Sequence, residues 1–257
     1  MDQSKKIKGF LFFDMDETLG FFRNYDGSMN NQGFPDGIYL RPGIKNLLKF
    51  LKQNFIVSVS TAATSNYTRL VLEQSGLLKY FDNVFTRDQF VKLENSSEND
   101  NEASPNGFEK RYSILMDYFN IKPELATMGM VIGDNDYDIS SDVPELSTLI
   151  VDSLFTPTDV ILAIIVDYFN NNEMDYSELG IEVKKYPKKH PISGIESHCI
   201  EVAIPKSLYH SELEKIDVKL IKKNILTKRE LSKSQRERIQ KPYTPAIQLK
   251  ANRYGLI

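Results

Sequence analysis

The chain has 257 residues, 41% of them hydrophobic and 26% charged, enough to bury a real core at a formal net charge of −3. Its single cysteine, Cys199, excludes an internal disulfide and zinc sites built on paired cysteines, and three histidines exclude a histidine-rich metal cluster. No run approaches the ~18 consecutive apolar residues of a membrane-spanning helix. Met1 to Lys8 is too polar for a signal peptide, so a soluble cytoplasmic protein is expected, with peripheral membrane association left open.

In chain order, Ile7 to Phe13 is a mostly apolar run ending at Asp14, which predicts a central strand covered on both faces. Leu19 to Tyr39, rich in Gly, Asn and aromatic residues, predicts a loop or flap over 19–40. Arg41-Pro42-Gly43 then precedes Ile44, Leu47, Leu48 and Leu51, spaced for an amphipathic helix with proline near its start. Phe55 to Val59 predicts a second buried strand, followed by the polar turn Thr61 to Ser65. Tyr67 to Gln74 predicts a helix stopped by Gly76, and Val84-Phe85 a short strand.

The polar segment 92–107 (KLENSSENDNEASPNG) is expected to be mobile. A helix is predicted over Phe108 to Phe119, strands over Met128 to Ile132 and Leu149 to Val151, and a helix over Asp159 to Phe169. Strands alternating with helices predict an α/β, Rossmann-like, mostly parallel sheet with helices on both faces. The pattern changes near Asn172, dividing the chain into a core at 1–172 and a basic extension at 173–257. In that extension Ile181 to Lys185 and Cys199 to Ile204 alternate like edge strands, Cys199 being a half-buried strand residue. Ser211 to Gln240 reads as a Lys/Arg-rich helix, which makes the extension α+β. Residues 181–257 hold 17 Lys/Arg against 8 Asp/Glu, leaving 15 against 27 elsewhere: an acidic core joined to a basic tail.

Ligands of an open parallel sheet sit outside the carboxyl ends of its strands. Three polar clusters fall at such ends: Asp14/Asp16/Thr18, Ser60/Thr61 and Asp134/Asn135/Asp136/Asp138. Lys110, at a predicted helix start, is a cation opposing the helix dipole and needs a local reason. A calcium loop starting at Asp134 is excluded by Ile139, which stands at its obligatory glycine. A thiol phosphatase is excluded too, because the residues after Cys199 offer neither arginine nor glycine.

Together the four motifs resemble the haloacid dehalogenase superfamily: Asp14-Met15-Asp16-Glu17-Thr18; Thr61 closing Val57 to Ser60; Lys110; and Gly133-Asp134-Asn135-Asp136-Tyr137-Asp138. The resemblance spans roughly residues 7 to 155. The spellings Asp14-Met15-Asp16-Glu17-Thr18-Leu19 and Tyr39-Leu40-Arg41-Pro42-Gly43 are closest to carboxy-terminal-domain phosphatases and their nuclear-envelope relatives. That branch usually has Asp-Asn-Ser-Pro at the fourth motif, where this chain has Asp134-Asn135-Asp136-Tyr137.

The resemblance implies a Mg2+-dependent phosphatase working through an aspartyl-phosphate on Asp14, with Asp16 as general acid and then base. It implies Mg2+ held by Asp14, the Asp16 backbone carbonyl and Asp134, with Asn135 and Asp138 around them. Thr61 and Lys110 would hold the phosphoryl oxygens, supported by Thr18 and Ala62.

Forty-six residues separate Asp14 from Thr61 and 48 separate Thr61 from Lys110, too few for a large cap domain. An open site suits a phosphorylated protein or peptide. Phe21, Phe22, Tyr25, Phe34 and Tyr39 are the expected lining of a substrate groove, which would favour phosphotyrosine over phosphoserine or phosphothreonine; the alternative is that two or three of them pack on the sheet. A polynucleotide-end or small-molecule phosphomonoesterase is the rival reading, nucleic acid being disfavoured by the acidic core. The basic tail is a candidate for docking an anionic membrane surface or an acidic partner.

Overall fold

The computed structural model describes residues 8–22, 37–92, 108–151, 156–209 and 213–216. Its elements in chain order are β1 (Gly9–Phe13), β2 (Gly20–Phe22), β3 (Ile38–Leu40), α1 (Ile44–Leu51), β4 (Phe55–Ser60), α2 (Ser65–Gln74) and β5 (Asn83–Phe85). They continue with β6 (Val91–Lys92), β7 (Phe108–Glu109), α3 (Tyr112–Tyr118), β8 (Gly129–Gly133), β9 (Ser147–Val151), α4 (Thr158–Asn170), β10 (Glu182–Lys189), β11 (Glu196–Ala203) and β12 (Glu214–Ile216). Among the described residues no helix is long and apolar enough to cross a membrane.

Seven strands form the central sheet in the order β10-β11-β9-β8-β1-β4-β5. All neighbours are parallel except β10, which runs antiparallel along β11. This is the expected α/β architecture, a mostly parallel sheet with helices on both faces. The period of two in each strand divides the core between the faces. Leu11, Phe13, Val57, Val59, Met130 and Ile132 pack against α1, α2 and α4. Phe10, Phe12, Ile56 and Val131 pack against Tyr112, Leu115 and Met116 of α3. Both faces are therefore covered, which is why these strands read as continuous apolar runs.

The flap is a hairpin, β2 antiparallel to β3, with β12 as a third strand on β3. This corrects the start of the helix expected over 211–240: Glu214–Ile216 is extended and satisfies its backbone on Ile38–Leu40. Helix propensity there loses to tertiary pairing. Residues 217–240, with Lys222, Lys223, Lys228, Arg229, Lys233, Arg236 and Arg238, lie outside the described residues. A second correction is at Phe108–Glu109, a strand antiparallel to Val91–Lys92 rather than the first turn of α3. The segment 93–107 between them lies outside the described residues. The strands expected beyond Asn172 extend the core's own sheet, β11 joining β9.

Candidate active site

The register brings the carboxyl ends of the central strands level. Phe13 of β1 lies beside Val59 of β4 and Ile132 of β8. The next residues continue the ladder, with Asp14 N donating to Ile132 O at 2.8 Å and Thr61 N to Phe85 O at 3.0 Å. Asp14, Thr61 and Asp134 are thus set side by side, although 46 and 72 residues separate them in sequence.

At the centre Lys110 Nζ lies 2.5 Å from both Asp14 Oδ1 and Asp138 Oδ1. All three side chains are buried, with Lys110 and Asp14 each 8% exposed and Asp138 1%. Lys110 is held at its backbone by Ser141 Oγ, which donates to its carbonyl at 3.1 Å. Asp142 caps the helix that follows, accepting from Tyr112 N at 2.9 Å. The expected position at a helix start is therefore refined: Lys110 stands just before α3, and its local reason is a pair of buried carboxylates.

The fourth-motif turn is shaped by its own side chains. Asp138 Oδ2 accepts from Asp134 N at 3.2 Å and Asn135 N at 3.4 Å. Asn135 Oδ1 accepts from Tyr137 N at 2.9 Å, while its amide donates to Asp134 Oδ1 at 3.1 Å. A Cβ on Gly133 would lie 2.1 Å from Asp138 Oδ2, so only glycine lets Asp138 fold back here.

Burial lifts the Asp14 carboxyl well above the usual range against the pull of Lys110, with Asp138, Asp16 and Asp134 adding to the rise. Asp16 is raised to about 7, first by burial, with Asp134 and Glu17 adding and Lys110 opposing. Asp134 is likewise raised to about 7 by burial and by Asp138. Burial alone would depress the Lys110 ammonium, but Asp138 and Asp14 outweigh it and hold it well above the ordinary lysine range.

Carboxylate oxygens of Asp14, Asp134 and Asp138 lie within 4.8 Å of one another. Hard oxygen donors at this spacing, two of them lifted by burial and then by neighbouring carboxylates, fit a divalent cation such as Mg2+. Asp138 is already bound by Lys110 and two backbone N–H groups, which leaves Asp14 and Asp134 as the better donors. Asp16 was assigned through its backbone carbonyl and is not one of the three clustered carboxylates.

Thr61, 2% exposed, accepts from Ala63 N at 3.2 Å through Oγ1, a bond that does not use its own hydroxyl proton. Ala62 offers its carbonyl to Arg87 Nε at 2.7 Å. Thr18 is buried, and its Oγ1 has no hydrogen-bond partner among the described residues.

The groove expectation needs correcting. Phe21, Phe22 and Tyr39 are 6–8% exposed. Phe22 belongs to the main core, while Phe21 and Tyr39 pack together under Leu213. Neighbouring residues of a strand face opposite ways, so Phe22 covers the core side of the flap while the Phe21–Tyr39 pair is buried on its other side. Tyr25 and Phe34 lie outside the described residues.

Arg41, which the spelling Tyr39-Leu40-Arg41-Pro42-Gly43 includes without assigning it a role, is a further residue beside the site. It is fully buried, and its guanidinium donates to Thr18 O (2.7 Å), Glu17 O (3.1 Å) and Thr156 O (2.7 Å). Burial lowers it to about 10, against the pull of Asp134. Glu17, at φ 60°, is one of few non-glycine residues in the left-handed region, and Arg41 grips its carbonyl. The signal was a lone arginine between an apolar strand and Pro42-Gly43.

Residues 10–102 match the family model of NLI interacting factor-like phosphatases. The resemblance to the haloacid dehalogenase superfamily and its carboxy-terminal-domain phosphatase-like branch is thereby borne out. The matched span holds Asp14, Asp16, Thr18, Arg41 and Thr61; Lys110 and Asp134 follow it. No curated protein sequence matches the chain.

Solved structures include a haloacid dehalogenase-superfamily hydrolase from Ehrlichia chaffeensis (16% identity, 65% of this chain and 99% of that one, TM-score 0.42). Fission yeast RNA polymerase II CTD phosphatase Fcp1 bound to beryllium fluoride is 20% identical over 59% of this chain and 42% of that one, with TM-score 0.37. The magnesium-bound hydrolase YfnB of Bacillus subtilis is 22% identical over 44% and 45%, with TM-score 0.31. At these scores they are likenesses alone, and no argument rests on them.

Proposed function

We propose that the chain is a magnesium-dependent phosphomonoesterase that transfers the phosphoryl group to Asp14. The observation carrying this reading is the buried Asp14–Lys110–Asp138 network, with Asp134 alongside, at the carboxyl ends of the strands.

Asp14 supplies the nucleophilic oxygen: its carboxylate attacks phosphorus as the bond to the leaving alcohol breaks. Asp16, raised to about 7, is protonated in a good part of the molecules at neutral pH and delivers that proton to the leaving oxygen. The resulting Asp16 carboxylate then takes a proton from water, whose oxygen attacks phosphorus and releases Asp14. The balance is phosphomonoester plus water giving alcohol plus phosphate. Lys110 and the Thr61 hydroxyl hold the phosphoryl oxygens as charge shifts. Mg2+ on Asp14 and Asp134 would neutralise the repulsion between nucleophile and phosphate and bring the Asp14 carboxyl back to its ionised form.

The substrate we favour is a phosphate carried on a protein. Between Asp14 and Thr61 the described residues hold only the flap hairpin, α1 and the sheet strand β4, which supports a site open to a macromolecule. Burial of Phe21, Phe22 and Tyr39 removes the support for a phosphotyrosine preference, so phosphoserine and phosphothreonine peptides are expected to serve equally. Magnesium-dependent hydrolysis of p-nitrophenyl phosphate, lost in Asp14→Asn with folding intact, is the expected result. Undiminished turnover in that variant would overturn the reading, and activity confined to sugar phosphates or oligonucleotide ends would overturn the protein substrate.

A further inference from the structure

The β10–β11 hairpin lies outside the residues matched by the family, yet it is bonded to the fourth-motif turn. Residues of one parity on its two strands share a face: Tyr186 and Lys188 on β10 stand opposite Cys199 and Ser197 on β11. Each of the four makes a fixed contact on that face. Lys188 Nζ lies 2.6 Å from Asp136 Oδ1, in the middle of the turn that carries Asp134 and Asp138. Ser197 Oγ donates to Ser140 O at 3.1 Å, both residues being buried. Cys199 packs with Ile139 and Ile150. Tyr186 donates its hydroxyl to Glu201, and the Lys188 ammonium sits 5.9 Å from the Tyr186 ring centroid.

Three consecutive stretches of the turn are therefore fastened to one platform: Asp136 by an ion pair, Ile139 by apolar packing and Ser140 by a buried hydrogen bond. Asp136 is not one of the clustered carboxylates, and its oxygen is turned to the hairpin instead. We infer that the β10–β11 hairpin positions the Asp134–Asp138 turn for the metal, with Lys188 as a positioning residue acting through Asp136. The inference rests on the magnesium reading of Asp14 and Asp134. A carboxylate ligand is useful to a cation only when its direction is set beforehand, and groups around the ligands commonly set it. In this chain those groups include a strand pair far beyond the motifs.

The test uses the full chain and Mg2+ itself. Magnesium affinity is measured by calorimetric titration, and the magnesium concentration giving half-maximal phosphatase rate is measured beside it. Lys188→Glu, a change at a part-exposed position, should weaken both by about threefold to tenfold while the rate at saturating magnesium stays near wild type. Lys188→Arg should behave as wild type. The swapped pair Lys188→Glu with Asp136→Lys should recover most of the loss. A Lys188→Glu protein that binds magnesium as wild type does would overturn the inference, whatever its melting temperature. A loss that the swap leaves unrepaired would overturn the role of Asp136. A wild-type chain that binds no magnesium would overturn the metal reading and this inference with it.

Discussion

Two cations are buried beside the catalytic strand, and they meet the cost of burial in opposite ways. Lys110 is neutralised by two carboxylates, Asp14 and Asp138, which hold its charge firmly in place. Arg41 gives its guanidinium hydrogens to the carbonyls of Glu17, Thr18 and Thr156, and burial pulls it down to about 10. A compact ammonium between carboxylates is a charge set where phosphoryl oxygens can use it. A planar fork on carbonyls fixes the path of a loop, here the turn carrying Asp16 and Thr18. In the proposed mechanism one cation serves the chemistry, and the other serves the shape that the chemistry needs.

The largest effect should come from breaking the first arrangement. Lys110→Met leaves two buried carboxylates facing each other, which should cost about 3–5 kcal/mol near neutral pH and at least about a hundredfold in rate. The Asp14 carboxyl, already raised by burial, then loses the lysine that pulls it down, so the folded state binds more protons than the unfolded one and stability falls as pH rises. Urea unfolding at pH 5 and pH 8 should show the larger loss at pH 8; an equal loss would break the contrast with Arg41.

Arg41→Met should cost roughly 3 kcal/mol by leaving carbonyls unsatisfied, and the same at both pH values because carbonyls do not titrate. Arg41→Lys should recover only part of it, since an ammonium cannot span three carbonyls in fixed directions. Full recovery by lysine would mean that charge, not the fork, holds the turn.

The third prediction concerns Asp16 and Asp134, both raised from an ordinary 3.8 to about 7. A carboxyl raised on folding binds its proton more tightly in the folded chain, so metal-free stability should fall as pH climbs from about 4 to about 7. Magnesium competes with the proton on Asp134, the ligand of the two. Its stabilisation, read as the rise in melting temperature, should be roughly several degrees larger at pH 8 than at pH 5. A magnesium effect independent of pH would contradict the shared site.

Legibility followed the range of the interactions. The strands at 9–13, 55–60 and 129–133 were readable because each is covered on both faces and shows as a largely apolar run. The amphipathic face of α1 and the glycine stop after α2 were readable for the same local reason. Asp14, Asp16, Thr61 and Asp134 stand out in sequence as polar residues after apolar strands, and Lys110 as a cation at a predicted helix start. What sequence hid was partnership at distance: Thr156 for Arg41, 115 residues away, and Ile38–Leu40 for Glu214–Ile216, which made a charged segment a strand. The aromatic flap misled because rings mark burial as readily as recognition, and a hairpin this short must bury its own.

The smallest expected effect follows from that last point. Phe21→Leu should cost about 1 kcal/mol of stability and leave the ratio of rates on phosphotyrosine and phosphoserine peptides unchanged. A changed ratio would return Phe21 to the substrate.

The central claim is that the phosphoryl group passes through Asp14. Acid quenching during turnover, followed by borohydride reduction and peptide mass spectrometry, reads the site of any acyl phosphate directly. The account predicts reduction of the Asp14 side chain to the alcohol in wild type and none in Asp14→Asn. A label on another residue, or none in wild type under turnover, would contradict it.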